Sequence, residues 1–203
     1  MRYSQDMDSY AQDPGVQWML AYQAGSEKAF DRLVETYSAQ VYALLTRFLG
    51  TVPEREDLVQ EVFLRVIRAR DRYRPGARFS TYLYRIAFNL ALNQAERGRG
   101  LGKVDSTRAP NASEPVPEVT DPRWEEPSRS LEREDVVRAV RAAIAALPEN
   151  QRMALILARY EDMPYVDIAR VLRSSEKAVK SLVHRARENL RAHLAPFLES
   201  ETQ

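Results

Sequence analysis

The stretch "PYVDIARVLRSSEKAVKSLVHRARENL", residues 164–190, decides the reading of the fold. Its first part sets Ile168, Ala169, Val171 and Leu172 at helical spacing, and "RSS" then breaks the pattern. Ser175 is placed to cap a second helix whose apolar positions are Val179, Val183, Ala186 and Leu190. At about 100° per residue these four fall within roughly 60° of arc. Lys177, Ser181, His184 and Arg185 project from the opposite side, with Lys180 and Arg187 on its flanks. Two helices joined by so short a turn read as a helix-turn-helix. A second helix with a narrow apolar stripe and a basic outer face fits the major groove of DNA. A solvated charged helix carries the same pattern and is its commoner origin, so the stretch alone leaves both readings open.

Charge along the 203 residues is uneven although the formal net charge is only +1. Residues 65–99 hold nine arginines against Asp71 and Glu96. Residues 100–135 hold five basic and nine acidic side chains, and residues 173–193 hold six basic against Glu176 and Glu188. Two basic patches around an acidic spacer suggest two contacts with one polyanion.

Helical periodicity also dominates ahead of the opening stretch. One helix is predicted from Ser26, as cap, to Leu49, stopped by Gly50. A second has Pro53 in its first turn and runs to about Arg70. After the turn "RPGAR", a third runs from a Ser80 cap to about Arg97, with Phe79 and Tyr84 as a hydrophobic staple and Leu83, Ile86, Ala87 and Leu90 as its core stripe. Residues 98–130 carry five Pro and three Gly and no periodic apolar face, which reads as a flexible linker with Trp124 as a docking candidate. Further helices are expected over about 131–146, 150–160, 165–172 and 176–194. The fold class is therefore all-α, two small helical domains joined by a flexible acidic linker.

Two N-terminal features invite a functional reading. In "DLVQEVFLRVIRAR", residues 57–70, the core stripe is Val59, Val62, Phe63 and Val66. Leu64 stands on the reverse face among Asp57, Gln60, Glu61 and Arg68. A lone exposed leucine is common; a protein-binding ridge, an apolar anchor bordered by polar groups, is the sharper reading. In "RYRPGARFSTYLYRIAFN", residues 72–89, five rings and four arginines occur with no acid. Rings at helical spacing are more often core, and about half of these are expected to be. The composition also suits unpaired nucleic acid, with rings stacking on bases and Arg following phosphates.

With these residues in view, the chain resembles a bacterial sigma factor of the extracytoplasmic-function type, the group-four branch of the sigma-70 family. Four blocks carry the resemblance: "GSEKAFDRLVETY", "DLVQEVFLRV", "FSTYLYRIAFN" and the run from "LPENQRMALILARY" to "HRARENL". The resemblance implies region 2 over 24–99, a linker over 100–131 and region 4 over 132–194. It implies a core RNA polymerase surface of Asp57, Gln60, Glu61 and Leu64, docking on the clamp helices of the largest subunit. It implies a single-stranded −10 surface of Tyr73, Arg74, Arg78, Tyr82, Arg85, Phe88 and Asn89. A −35 duplex surface would comprise Ser175, Lys177, Lys180, Ser181, His184, Arg185 and Arg187, with region 4 also touching the polymerase flap. The implied partners are core polymerase, promoter DNA both duplex and single-stranded, and an anti-sigma protein. Tyr82 stands where the family usually has Trp, and Arg173 where its turn usually has Gly.

No cofactor and no metal are expected: the chain has no Cys, no metal-ligand spacing and no Gly-rich phosphate loop. With no nucleophile–base pair visible, an enzyme acting on nucleic acid is the weakest reading. A helix-turn-helix regulator with a helical sensor domain explains residues 132–194 but not the ridge or the ring cluster. The polar N-terminus lacks a signal-peptide core and the apolar runs are too short to span a bilayer, so the expected location is cytoplasmic, at the nucleoid when active.

Overall fold

The computed structural model describes residues 10–50, 52–101 and 127–200, with side-chain surroundings described over 10–50, 52–97 and 136–195. The acidic linker between, Trp124 included, lies outside the described residues. Among the described residues, eight α-helices and one 3-10 turn form the fold, with no strand.

The first unit holds four helices. Helix α1 (Pro14–Gln23) starts where the Asp13 carboxylate accepts from the Val16 N–H at 2.9 Å, with Pro14 pre-set for the first turn. Helix α2 (Glu27–Leu49) buries Leu33, Tyr37, Val41, Leu44, Leu45 and Phe48 on one stripe. Gly50, at φ 74°, ends it in a conformation that most L-residues avoid. Helix α3 (Arg55–Arg68) buries Val62, Phe63 and Val66, and the 3-10 turn Arg70–Arg72 follows it. Helix α4 (Phe79–Leu101) packs against α1, α2 and α3. The approach of α1 is close enough to require Gly15: a β-carbon there would lie 2.5 Å from Tyr37 Oη and 2.7 Å from Phe79 Cβ.

The second unit holds α5 (Pro127–Ala146), α6 (Glu149–Tyr160), α7 (Tyr165–Val171) and α8 (Glu176–Ser200), with α5, α6 and α7 all packed on α8. The helix-turn-helix of the sequence reading is present as α7, its turn and α8. Its turn closes through a bond from Ser174 N–H to the Ala169 carbonyl at 2.9 Å, with Arg173 at φ 50°.

Some local expectations change. Ser26 occupies the N-cap of α2, but its side chain makes no capping bond. Pro53 precedes α3 rather than opening it, since Glu54 is the N-cap. Helix α4 begins at Phe79, one residue before Ser80. Its first N–H is taken by the Asp13 carboxylate of α1, 3.2 Å away, so a neighbouring helix supplies the acceptor. Helix α5 begins at Pro127 and α8 continues to Ser200.

The units are not independent in this structure. Helix α7 packs on α4 and α6 on α2, so one buried apolar cluster runs from Val16 to Val183. Arg152 adds a bond across the junction, donating to the Phe48 carbonyl at 2.8 Å.

Candidate nucleic-acid interface

Three surfaces carry the residues singled out by the sequence. On α3, Asp57 and Gln60 are exposed, and Leu64 is 43% exposed on the same side. Glu61 is tethered: its carboxylate accepts from Arg65 Nε at 3.0 Å and Arg68 Nη1 at 3.2 Å. The hydrogen bond from Arg65 holds that carboxyl below its usual range, opposed in part by desolvation and aided by the charge of Arg68. Ile67 is 40% exposed one turn beyond Leu64 and extends the apolar ridge. Its spacing of three from Leu64 was the available signal.

The second surface is the loop after α3 and the start of α4. Here the rings divide. Tyr73 is 4% exposed, its ring centroid 5.2 Å from that of Tyr82, and its hydroxyl has no hydrogen-bond partner among the described residues. Burial, then the nearby negative Asp13, push that hydroxyl far above the usual tyrosine pKa. Phe88 is also 4% exposed and sits edge-on to Phe48 at 5.5 Å. Phe79 is fully buried beside Tyr37, and Tyr84 is buried with its hydroxyl turned toward α6. Tyr73 and Phe88 are thus core residues in this arrangement, and their rings are not presented to a strand. Helix α4 is central and covered on more than one side, which is why Phe88, off the single stripe read from sequence, is nevertheless buried.

Tyr82 remains at the surface, half-buried, with Arg85 Cζ 5.7 Å from its ring. Burial raises its hydroxyl pKa and Arg85 opposes the shift, so the ring is neutral at physiological pH. Arg74 and Arg78 are exposed, and Asn89 is half-buried. Arg74 Nη1 donates to the Tyr73 carbonyl at 2.8 Å, which directs its guanidinium along the loop. One ring, three guanidiniums and one amide are what this surface offers.

The third surface is the outer face of α8. Ser175 Oγ accepts from Ala178 N–H at 3.2 Å, the capping bond expected of it. Val179, Val183 and Ala186 are buried, and Leu190 is half-buried. Lys177, Lys180, Ser181, His184, Arg185 and Arg187 are all exposed. Lys180 pairs with Glu176 at 3.2 Å and His184 meets Glu188 at 3.3 Å, exposed contacts that a polyanion can displace. Lys177, Arg185 and Arg187 make no ion pair among the described residues.

Sequence reasoning missed the junction of the two units. The turn after α6, with Glu161 and Asp162, faces the start of α4, and Tyr37, Arg78, Ser80, Thr81, Tyr84 and Asp167 line the cleft between them. Neither a helix long and apolar enough to cross a membrane nor a cluster of three metal-ligating side chains occurs among the described residues.

These surfaces fall within segments shared with known proteins. Residues 33–100 match the family described as Sigma-70 region 2, and residues 137–190 match Sigma-70, region 4. The RNA polymerase sigma-H factor of Pseudomonas aeruginosa is 35% identical over 188 residues, covering 92% of this chain and 97% of that relative. The ECF RNA polymerase sigma-E factor of Escherichia coli is 33% identical over 183 residues, covering 87% of this chain and 92% of its own. The fold is similar to that of CnrH in complex with the cytosolic domain of CnrY, with TM-score 0.65, 22% identity and coverage of 91% of this chain and 99% of that one. It is similar, too, to the sigma factor RpoE in complex with the anti-sigma factor NepR from Bartonella quintana, with TM-score 0.63, 21% identity and coverage of 83% and 98%. The chain belongs to the sigma-70 family, as a sigma factor of the extracytoplasmic-function type.

Proposed function

We propose that the chain binds core RNA polymerase, directs it to promoters through −35 and −10 elements and promotes DNA opening at the start site. Residues 24–99 act as region 2, 100–131 as the connecting linker and 132–194 as region 4. The observation that carries this reading is the order of two matched segments, region 2 then region 4.

Asp57, Gln60, Leu64 and the adjoining Ile67 form the polymerase contact, with Glu61 bordering it through its arginine pairs. The exposed cations of α8 lie in the major groove of the −35 duplex, where Arg185 and Lys177, free of competing ion pairs among the described residues, carry the contact. Tyr82 stacks on an unpaired base of the −10 element while Arg74, Arg78 and Arg85 follow the phosphates. The protein performs no bond chemistry of its own. It works where polymerase works, in the cytoplasm and at the nucleoid, and an anti-sigma protein covers it when it is silent.

The test is run-off transcription on genomic fragments with core polymerase, with and without the protein, followed by mapping of start sites. Start sites that depend on the protein are the expected result. Absence of any such site, together with failure to co-purify with core polymerase, would sink the reading.

A further inference from the structure

Helix α1 lies ahead of the segment matched to region 2, which begins at residue 33. Yet it holds both ends of the loop that leads into the single-strand surface. At one end Gln23 Nε2 donates to the Arg70 carbonyl at 2.9 Å and to the Asp71 carbonyl at 3.2 Å, with the Tyr73 carbonyl 3.4 Å away. The Arg70 carbonyl opens the 3-10 turn and also takes the Tyr73 N–H at 3.3 Å, whereas those of Asp71 and Tyr73 lie at its close, where the helix supplies no donor. One amide carries two hydrogens, so the two shorter contacts take them. The same end is weighted by Arg70, whose Cζ lies 4.4 Å from the Tyr22 ring and whose guanidinium meets Glu27 at 3.4 Å.

At the other end the Asp13 carboxylate receives two N–H groups on one oxygen. Val16 donates at 2.9 Å, which starts α1, and Phe79 donates at 3.2 Å, which starts α4. Gly15 admits Phe79 and Tyr37 against the α1 backbone, so this end cannot be spaced by a side chain. The N-cap and the last residue of one helix therefore fix residues 70–73 and residue 79. Only the short span "RPGAR" is left between them.

We infer that α1 is a splint for the −10 surface, with Gln23 and Asp13 as positioning residues that set the loop of Arg74 and Arg78 against Tyr82. This rests on the strand-capture role given to Tyr82 above. Gln23 and Asp13 touch no DNA; they restrict where the loop arginines and the first turn of α4 stand before a strand arrives. Binding then spends less of its free energy on ordering the loop.

The test uses holoenzymes reconstituted from core polymerase and the full chain, carrying Gln23→Ala, Gln23→Glu, Asp13→Ala, Asp13→Asn or Tyr82→Ala. The probes are fluorescent single-stranded oligonucleotides of both strands of the −10 segment at a mapped start site. Affinity for core polymerase, affinity for −35 duplex and melting temperature are measured in parallel. Loss of one or two hydrogen bonds should weaken strand binding by about threefold to tenfold in both Gln23 variants and in Asp13→Ala. Polymerase and −35 affinity should hold, and Asp13→Asn, which keeps an acceptor oxygen, should restore strand binding. Unchanged strand affinity in the Gln23 variants, or a loss no larger than that of polymerase and −35 affinity, overturns the splint. If Tyr82→Ala also leaves strand binding intact, the strand-capture surface itself is misplaced and the splint falls with it; a loss in Tyr82→Ala alone confines the failure to the splint.

Discussion

Tyr84 of α4 donates its hydroxyl to the Glu161 carboxylate at 2.6 Å, joining region 2 to region 4 across 77 positions of sequence. Arg47 of α2 meets the other oxygen of the same carboxylate at 3.4 Å. Burial, then the hydrogen bond to Glu161, push the Tyr84 hydroxyl far above its ordinary pKa of 10.0. With the pKa raised on folding, this stabilisation is fully present below pH 10.0 and is lost only as pH rises from there through the much higher folded-state pKa, so it holds throughout the physiological range. A hydrogen bond to a charged, largely buried partner is worth about 1.5–3 kcal/mol.

Glu161→Ala should therefore loosen the docking of the two units by about that amount. The chain has no cysteine, so labels at Asp31→Cys and Arg191→Cys, both at exposed positions, report the separation by single-molecule energy transfer. A broadened or lengthened distance distribution is expected on Glu161→Ala, and a smaller change on Tyr84→Phe, which leaves Arg47 in place. An unchanged distribution in both variants would mean that packing of α7 on α4 holds the units without this contact.

Arg173 occupies the left-handed region at φ 50° in the turn between α7 and α8. That conformation costs an L-residue with a β-carbon roughly 1–2 kcal/mol. Glycine removes the strain but loses more backbone freedom on folding, about 0.5–1 kcal/mol. Arg173→Gly should therefore raise the melting temperature by about 2–4 °C for each kcal/mol of net gain in a chain of this size. Asp162, at φ 44°, should gain less from the same change, because a short acidic side chain visits this region more readily. Calorimetry on both variants checks the pair; a lower melting temperature for Arg173→Gly would show that the arginine side chain compensates for its backbone.

How much of this could be read beforehand depended on contrast along each helix. Helices α2 and α8 have one apolar stripe and one charged face, and their cores were legible in outline: of Phe30, Leu33, Val34, Tyr37, Val41, Leu44 and Leu45, spaced on one face of α2, all but Phe30 and Val34 are buried, Phe48 joins them, and on α8 Val179, Val183 and Ala186 are buried while Leu190 is half-buried. Helix α1, "PGVQWMLAYQ", has no charged residue to mark an outer face, so periodicity offered little contrast. Its start was still written in Asp13-Pro14, a cap followed by a first-turn proline. The ring cluster posed a different problem. Composition shows that Tyr73, Tyr82 and Phe88 lie close in sequence, but which ring faces solvent depends on the helices that cover α4. Tyr73 is buried only because the loop closes onto α1 and α4, a contact invisible to local pattern.

The ridge on α3 gives a prediction that separates polymerase binding from DNA binding. Gln60→Ala with Leu64→Ala should weaken affinity for core polymerase by roughly tenfold or more, the effect of removing a central interface anchor. Ile67→Ala should lower it further. All three side chains are exposed, so folding stability should stay within about 0.5 kcal/mol of the parent. Binding of the full chain to −35 duplex should be unaffected, since α8 is separate from this surface. Equal losses in both assays would move the role of the ridge from docking to folding.

With Tyr73 and Phe88 in the core, the proposed strand capture rests on a single presented ring, that of Tyr82. Opening about ten base-pair steps costs on the order of 14 kcal/mol at about 1.4 per step, and one stacked ring returns about 1–3 kcal/mol. The protein alone should therefore leave duplex promoter DNA closed, and opening should require the further strand contacts of the holoenzyme. Chemical reactivity of unpaired bases at a mapped start site measures this directly, and opening without core polymerase would refute it. In the holoenzyme, Tyr82→Ala should cut the open fraction by the equivalent of about 1–3 kcal/mol while leaving initial promoter binding intact. Tyr82→Trp should be tolerated, because the ring is half-exposed and a larger π-face stacks at least as well. Loss of initial binding in step with loss of opening would mean that Tyr82 supports the packing of Tyr73 and Phe79 rather than a captured base.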